Sequence, residues 1–243
     1  MLGGRLVLRQ PLRGHRVGHD AILLAAASSA QAGKHAVDLG AGVGGAGLAL
    51  AQRVEGLIVT LLEIDAQLAE LGRVNAARNG LSQRVRSVCL DVGATAAAFA
   101  AAGLPAESAG YVLMNPPFNA PLNFSPDRGR RLAHTAAKGT LRQWVRVASR
   151  LLEPRGVITL IWRADGLAEV LAALGEDFGA LSVLPVHPKP GESAIRVLAC
   201  AVKASHASLS LLPGLLLADA EGKPTPEAEA VLRGGAALPM TAG

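Results

Sequence analysis

The chain has 243 residues and a formal net charge of +5 at pH 7. Half of the residues are hydrophobic and 18% are charged, which supplies a core and excludes a disordered chain. Four Phe, two Trp and one Tyr are too few for a module that stacks bases on sheet-surface aromatics. Any contact with nucleic acid must rest on charge, backbone and one or two stacked bases.

Residues 19–32 are apolar and Ala-rich, with Ile22, Leu23, Ala26 and Ala27 at helical spacing, and predict a helix. A short apolar run at 35–39 predicts the first strand and ends in a glycine cluster. A helix follows at 48–54, then a β-branched strand at 57–62 that ends at Glu63. Asp65 is placed to cap the next helix, where Leu68, Leu71 and Val74 recur, and Asn79-Gly80 closes it. Strands are expected at 85–90, ending at Asp91, and at 110–114, ending at Asn115, with a weak helix at 95–102 between them. After a long loop, Trp144, Val147, Ala148 and Leu151 form one face of a helix. Pro154-Arg155-Gly156 turns the chain into a strand at 157–162. Asp165 is expected to cap a helix carrying Leu167, Val170, Leu171 and Leu174.

Strands at 181–186 and 195–202 follow with no helix between them. The alternation predicts a single α/β domain over residues 1–243, with a mostly parallel sheet and helices on both faces. The late pair implies one antiparallel strand in the edge region of the sheet. Residues 205–243 read as a weak strand and a loose tail. Cys89 and Cys200 sit in strand-like runs and read as buried thiols of a reducing cytosol. No Cys/His cluster suggests a metal site. The N-terminus carries Arg5, Arg9 and Arg13 without the apolar core of a signal peptide, and no stretch is long enough to span a bilayer. A cytoplasmic protein with no membrane partner is expected; oligomeric state is not legible.

The chemistry begins at Asp38-Leu39-Gly40-Ala41-Gly42-Val43-Gly44-Gly45, between the first strand and its helix. Such glycines let a backbone approach a ligand, and the helix start offers N–H groups. The string fits GxGxG and GxGxxG, so by itself it does not separate S-adenosylmethionine from a dinucleotide. Glu63 and Asp91, at the ends of the next two strands, are placed to accept from ribose hydroxyls and from an adenine amino group. Asp38 would receive the amino group of a methionine moiety, and a pyrophosphate would be repelled there. The balance tips to S-adenosylmethionine.

Asn115-Pro116-Pro117-Phe118 names the reaction. Two prolines remove two N–H donors, which leaves carbonyl oxygens to accept. The Asn115 oxygen and the Pro116 carbonyl can accept from one exocyclic amino group, and Phe118 can stack on the flat group that carries it. Two acceptors localise a delocalised lone pair, so that attack on an electrophilic methyl needs positioning rather than a strong base. His134 is therefore not read as a general base.

With these motifs the chain resembles the Rossmann-like, S-adenosylmethionine-dependent amino-methyltransferases, over residues 13–202. The resemblance implies a class I fold with a seven-stranded, mostly parallel sheet. It also implies cofactor contacts from Asp38, Gly40, Gly42, Gly44, Glu63 and Asp91, and catalysis at Asn115, Pro116, Pro117 and Phe118. Substrates in that group include adenine N6, guanine N2, cytosine N4 and glutamine. Arg16-Val17-Gly18-His19-Asp20-Ala21-Ile22-Leu23-Leu24-Ala25 is similar to the RxGxDxxLL segment of bacterial tRNA1(Val) adenosine-37 N6-methyltransferases, with His19 where a Thr-like residue is common. The Ser125-Pro126-Asp127, Ala133-His134 and Pro224-Thr225-Pro226-Glu227 runs look similar to the same group. This implies tRNA as partner and places Asp20 either beside the methionine end or as a helix cap.

Release-factor enzymes carry a helical domain before the glycine loop, and with 37 residues ahead of Asp38 that branch is not the expected one. Arg128, Arg130 and Arg131 follow the tetrapeptide and read as a grip on phosphates that flank a flipped base. The competing readings are methylation of rRNA guanine N2 or protein glutamine, and a non-catalytic nucleotide-binding module.

Overall fold

The computed structural model describes residues 1–12, 16–117, 140–175 and 177–240. Strands and helices alternate: α1 (His19–Ala27), β1 (His35–Leu39), α2 (Gly45–Arg53), β2 (Ile58–Glu63), α3 (Ala66–Arg78), β3 (Val85–Cys89), α4 (Ala96–Ala101) and β4 (Ala109–Met114). Then come α5 (Thr140–Leu151), β5 (Leu152–Arg163), α6 (Leu167–Leu174), β6 (Phe178–His187) and β7 (Arg196–Lys203). Two-residue strands β8 (Ser210–Leu211) and β9 (Leu215–Leu216) and a helix α7 (Pro226–Leu232) complete the chain.

The sheet order is β3-β2-β1-β4-β5-β7-β6, with β8 and β9 both on the free edge of β6. All pairings are parallel except those of β7, which is antiparallel to β5 and to β6. This is the Rossmann-like, class I architecture. The antiparallel strand lies in the edge region, as the late strand pair implied, and takes the place between β5 and β6. A hairpin partner must lie beside its strand, but nothing in the hairpin says which side of it the rest of the sheet takes.

The central strands are continuous apolar runs because helices cover both faces. β4 is buried at all six positions. Two apolar layers result, one on each face of the sheet. The first packs α1 and α2 with the chain termini, and the second packs α4, α5 and α6.

Local signals decide several boundaries. Asp65 caps α3 by accepting from the N–H groups of Gln67 and Leu68, at 2.8 and 3.1 Å. At the other end Gly80 takes φ 71°, the left-handed conformation that ends a helix. Thr95 caps α4 through the N–H of Ala98. α1 stops at Ala27, short of the expected 32, as Ser28 turns extended. Asp165 does not cap α6: it lies in a short 3-10 turn and pairs with Arg163 at 3.2 Å. Cys200 is buried as expected, whereas Cys89 is exposed, because β3 is an edge strand and Cys89 is its last residue.

The segment after β7 is not a loose tail. Thr225 caps α7, whose Ala228 and Val231 are buried, and α7 packs on α1. Leu238 donates its N–H to the carbonyl of Ala26 at 2.8 Å. Arg5 donates to the carbonyls of Arg233 and Gly234 at the end of α7, which ties the N-terminal segment to the helix that packs on α1. Among the described residues no helix is long and apolar enough to cross a membrane.

Candidate cofactor and amine site

Strand register places the functional residues in one row. Leu39 of β1 pairs with Leu62 of β2 and with Met114 of β4, and Glu63 pairs with Cys89 of β3. One residue further, Asn115, Gly40 and Glu63 line the carboxyl edge of three neighbouring strands. Strands lie about 4.8 Å apart, so Asn115 and Glu63 stand about 10 Å from each other across the glycine loop. Asp91 follows two residues beyond Cys89. The switch point of an open parallel sheet, between β1 and β4, is where such a crevice forms.

The glycine loop is held by its own acids. Glu63 Oε2 accepts from Gly42 N–H at 2.8 Å, and Oε1 accepts from Asp65 N–H at 3.0 Å. Each carboxylate oxygen keeps further acceptor capacity for a hydroxyl. Asp38 is 2% exposed, and its Oδ2 accepts from Gly47 N–H at 2.8 Å, in the first turn of α2. Burial pushes its carboxyl up to about 7; the Gly47 hydrogen bond works against that shift, and the nearby Glu63 adds to it. Asp91 is exposed and its Oδ1 accepts from Gly93 N–H at 2.7 Å, which fixes the carboxylate and leaves Oδ2.

The three glycines of the motif differ in what they do. A Cβ at Gly40 would overlap the ring of Trp144, and one at Gly44 would meet Leu61 and Leu48 at 2.8 and 2.9 Å. Gly42, with φ 56°, has nothing within 4 Å of where its Cβ would stand. Only there is the missing side chain open space above the loop, as a ligand approached by backbone requires. At the head of α1, Val17 packs on Gly45, and Asp20 pairs with Arg196 of β7 at 3.0 Å. Gly18, not Asp20, is the N-cap of α1.

Asn115 is partly buried, Pro116 buried and Pro117 partly buried at the end of β4. Phe118, Arg128, Arg130, Arg131 and His134 lie outside the described residues.

Sequence reasoning missed two supports. Asn75 of α3 is fully buried; it accepts from Arg9 N–H at 2.7 Å and donates to the carbonyls of Arg9 and Val43 at 2.9 and 3.0 Å. It thereby ties the N-terminal segment to the glycine loop. A polar residue within a helix gives no sign of such a tie. Trp144 was legible as part of an apolar helix face, but not as the floor under Gly40.

Residues 16–187 match the family model of the methyltransferase small domain. The chain belongs to that family. A tRNA1(Val) (adenine(37)-N6)-methyltransferase of Porphyromonas gingivalis (strain W83) is 32% identical over 159 residues, which cover 64% of this chain and 61% of that one. One of Phocaeicola vulgatus is 29% identical over 185 residues, 75% of each chain. A release factor glutamine methyltransferase of Chlorobaculum tepidum is 33% identical over 162 residues, 63% of this chain and 53% of that one. The chain thus spans about three fifths of the first relative's length. The crystal structure of a predicted O-methyltransferase from Agrobacterium tumefaciens superposes with a TM-score of 0.77 at 34% identity, covering 90% of this chain and 98% of the other.

Membership of the methyltransferase family implies S-adenosyl-L-methionine as cofactor. The residues present fit it: the open cradle at Gly42 admits it, the buried Asp38 carboxyl favours a cation, and Glu63 and Asp91 keep acceptors for its hydroxyls and amino group. Among the described residues no group of His, Cys, Asp and Glu could hold a metal ion.

Proposed function

We propose that this protein methylates the N6 amino group of an adenine in tRNA, adenosine 37 of tRNA1(Val), with S-adenosyl-L-methionine as donor. The observation that carries this reading is the register: Asn115-Pro116-Pro117 stands at the end of β4, directly beside Gly40 of the cofactor loop. An amine held by Asn115 is thereby presented to whatever lies over Gly40–Gly42.

In this reading the Asn115 side-chain oxygen and the Pro116 carbonyl accept from the two hydrogens of the amino group. That draws the lone pair out of conjugation and aims it along the crevice. Pro117, having no N–H, competes for neither acceptor. Phe118 stacks on the base, and Arg128, Arg130 and Arg131 hold the phosphates beside it. Asp38, Gly40, Gly42, Gly44 and Glu63 hold the cofactor, with Asp91 at its adenine and Asp20 bordering its methionine end. When bound, the cofactor supplies a methyl group on a sulfonium, which departs as a neutral thioether. The nitrogen becomes cationic as the N–C bond forms and sheds its proton to water, so no base is needed.

The tRNA1(Val) relatives support RNA as the substrate. The release-factor relative supports a second reading, in which the amine is a glutamine amide, since Asn115 and Pro116 would hold either group. Methylation of rRNA guanine N2 rests on the same acceptors.

Asn115→Ala is expected to abolish methyl transfer to tRNA while S-adenosylhomocysteine affinity stays within about tenfold. Near-full turnover by that variant would overturn the mechanism. Replacing Arg128, Arg130 and Arg131 together by Ala is expected to weaken tRNA binding and to lower its salt slope by about 2–3. An unchanged slope would remove those residues from the interface.

A further inference from the structure

α5 packs on β4 and β5, and its first turns reach both the glycine loop and the loop after β3. Trp144 lies under Gly40, and one residue earlier Gln143 reaches the loop after β3. Gln143 Nε2 is 3.0 Å from the point where a Cβ of Gly93 would stand, and Asp91 Oδ1 is 3.4 Å from the same point. Gly93 has no side chain, so an amide from one element and a carboxylate from another converge on one spot. The carboxylate favours the nitrogen of that amide, not its oxygen, on this side. Gln143 is exposed, and no described residue makes a hydrogen bond with its side chain.

A donor beside an acceptor complements one edge of adenine, where ring nitrogen N1 accepts and the N6 amino group donates. We propose that Gln143 and Asp91 together read the adenine edge of the cofactor. Gln143 Nε2 donates to N1, and Asp91 Oδ2 accepts from the N6 amino group. Gln143 is a binding and specificity residue, and the proposal rests on reading this crevice as the S-adenosylmethionine site. Hypoxanthine inverts the edge, with a carbonyl oxygen at position 6 and an N–H at position 1. A site built to hydrogen-bond one pattern leaves its polar groups mismatched against the other.

The test is calorimetric binding of S-adenosylhomocysteine and S-inosylhomocysteine to the full chain and to three variants, with no turnover involved. The wild-type chain prefers S-adenosylhomocysteine. Gln143→Ala weakens S-adenosylhomocysteine by about tenfold, the size of one hydrogen bond. Gln143→Glu, which keeps the shape but accepts where it should donate, weakens S-adenosylhomocysteine at least as much. It weakens S-inosylhomocysteine less, because a carboxylate can accept from the N1–H. Equal losses for the two nucleosides in Gln143→Glu would overturn the proposal. If Asp91→Ala lost affinity while both Gln143 variants kept it, the assignment of Gln143 would fail and the crevice would stand. If all three variants bound like wild type, the cofactor would not seat its adenine here and the underlying reading would fail as well.

Discussion

In the proposed cofactor site, Asp38 joins binding to protonation. Burial lifts its carboxyl from the ordinary 3.8 to about 7, so between those pH values the free folded protein holds a proton there that the unfolded chain has lost. The stability of the free protein therefore declines as pH rises from about 4 to about 7, then levels off. Asp38→Asn removes the titration, and it is expected to raise the melting temperature more at pH 8 than at pH 5. Equal shifts at both pH values would contradict the assignment. A cation seated beside Asp38 favours its ionised form, so binding S-adenosylmethionine at pH 6 should release a proton. Calorimetry in buffers of different ionisation enthalpy reads that proton directly, and an enthalpy independent of buffer would deny it. That Asp38 heads the glycine loop was legible from its place before the glycines. That one of its oxygens serves Gly47 was not, because the bond depends on how α2 leaves the loop.

At the scale of elements, the glycine loop separates two kinds of glycine. Gly42→Ala places a methyl in open space at φ 56°, so its cost to folding should be about 1 kcal/mol, while S-adenosylhomocysteine binding is lost. Gly47→Ala drives a methyl into Leu61 and towards Asp38, and should destabilise the fold by about 1–3 kcal/mol. Urea denaturation and calorimetry on both variants distinguish these outcomes. A Gly42→Ala protein that binds normally would show that the cofactor does not approach the loop there. β1, β2, β4 and β5 were legible because buried strands are apolar runs bounded by caps and turns. The site of β7 was not, since sequence patterning sets which residues face the core but not the order of strands across a sheet. Cys89 shows the same limit: its apolar neighbours suggested burial, and the edge position of β3 exposes it.

Over the whole molecule, the N-terminal segment and the residues around α7 brace α1, whose head meets the glycine loop where Val17 packs on Gly45. Leu238 is 6% exposed and its N–H is bonded to Ala26 of α1. Leu238→Ala is expected to cost about 2–4 kcal/mol in urea denaturation, as a truncation in a packed site does. A loss below about 0.5 kcal/mol, the usual size for a surface change, would mean that the C-terminal segment is not part of the core. This clasp was illegible because its short strands and seven-residue helix carry little periodicity, and its partners lie at the other end of the chain. The site itself was legible to the extent that its acids and its Asn-Pro-Pro run end consecutive strands, and register then brings them into one row. Nucleoside mass spectrometry tests the central claim most directly, on tRNA from cells lacking this protein, before and after incubation with the purified chain and S-adenosylmethionine. N6-methyladenosine should be absent at first and restored by the wild-type chain but not by Asn115→Ala. An unchanged adenosine profile, with methyl groups appearing instead on guanine N2 or on a protein glutamine, would contradict it.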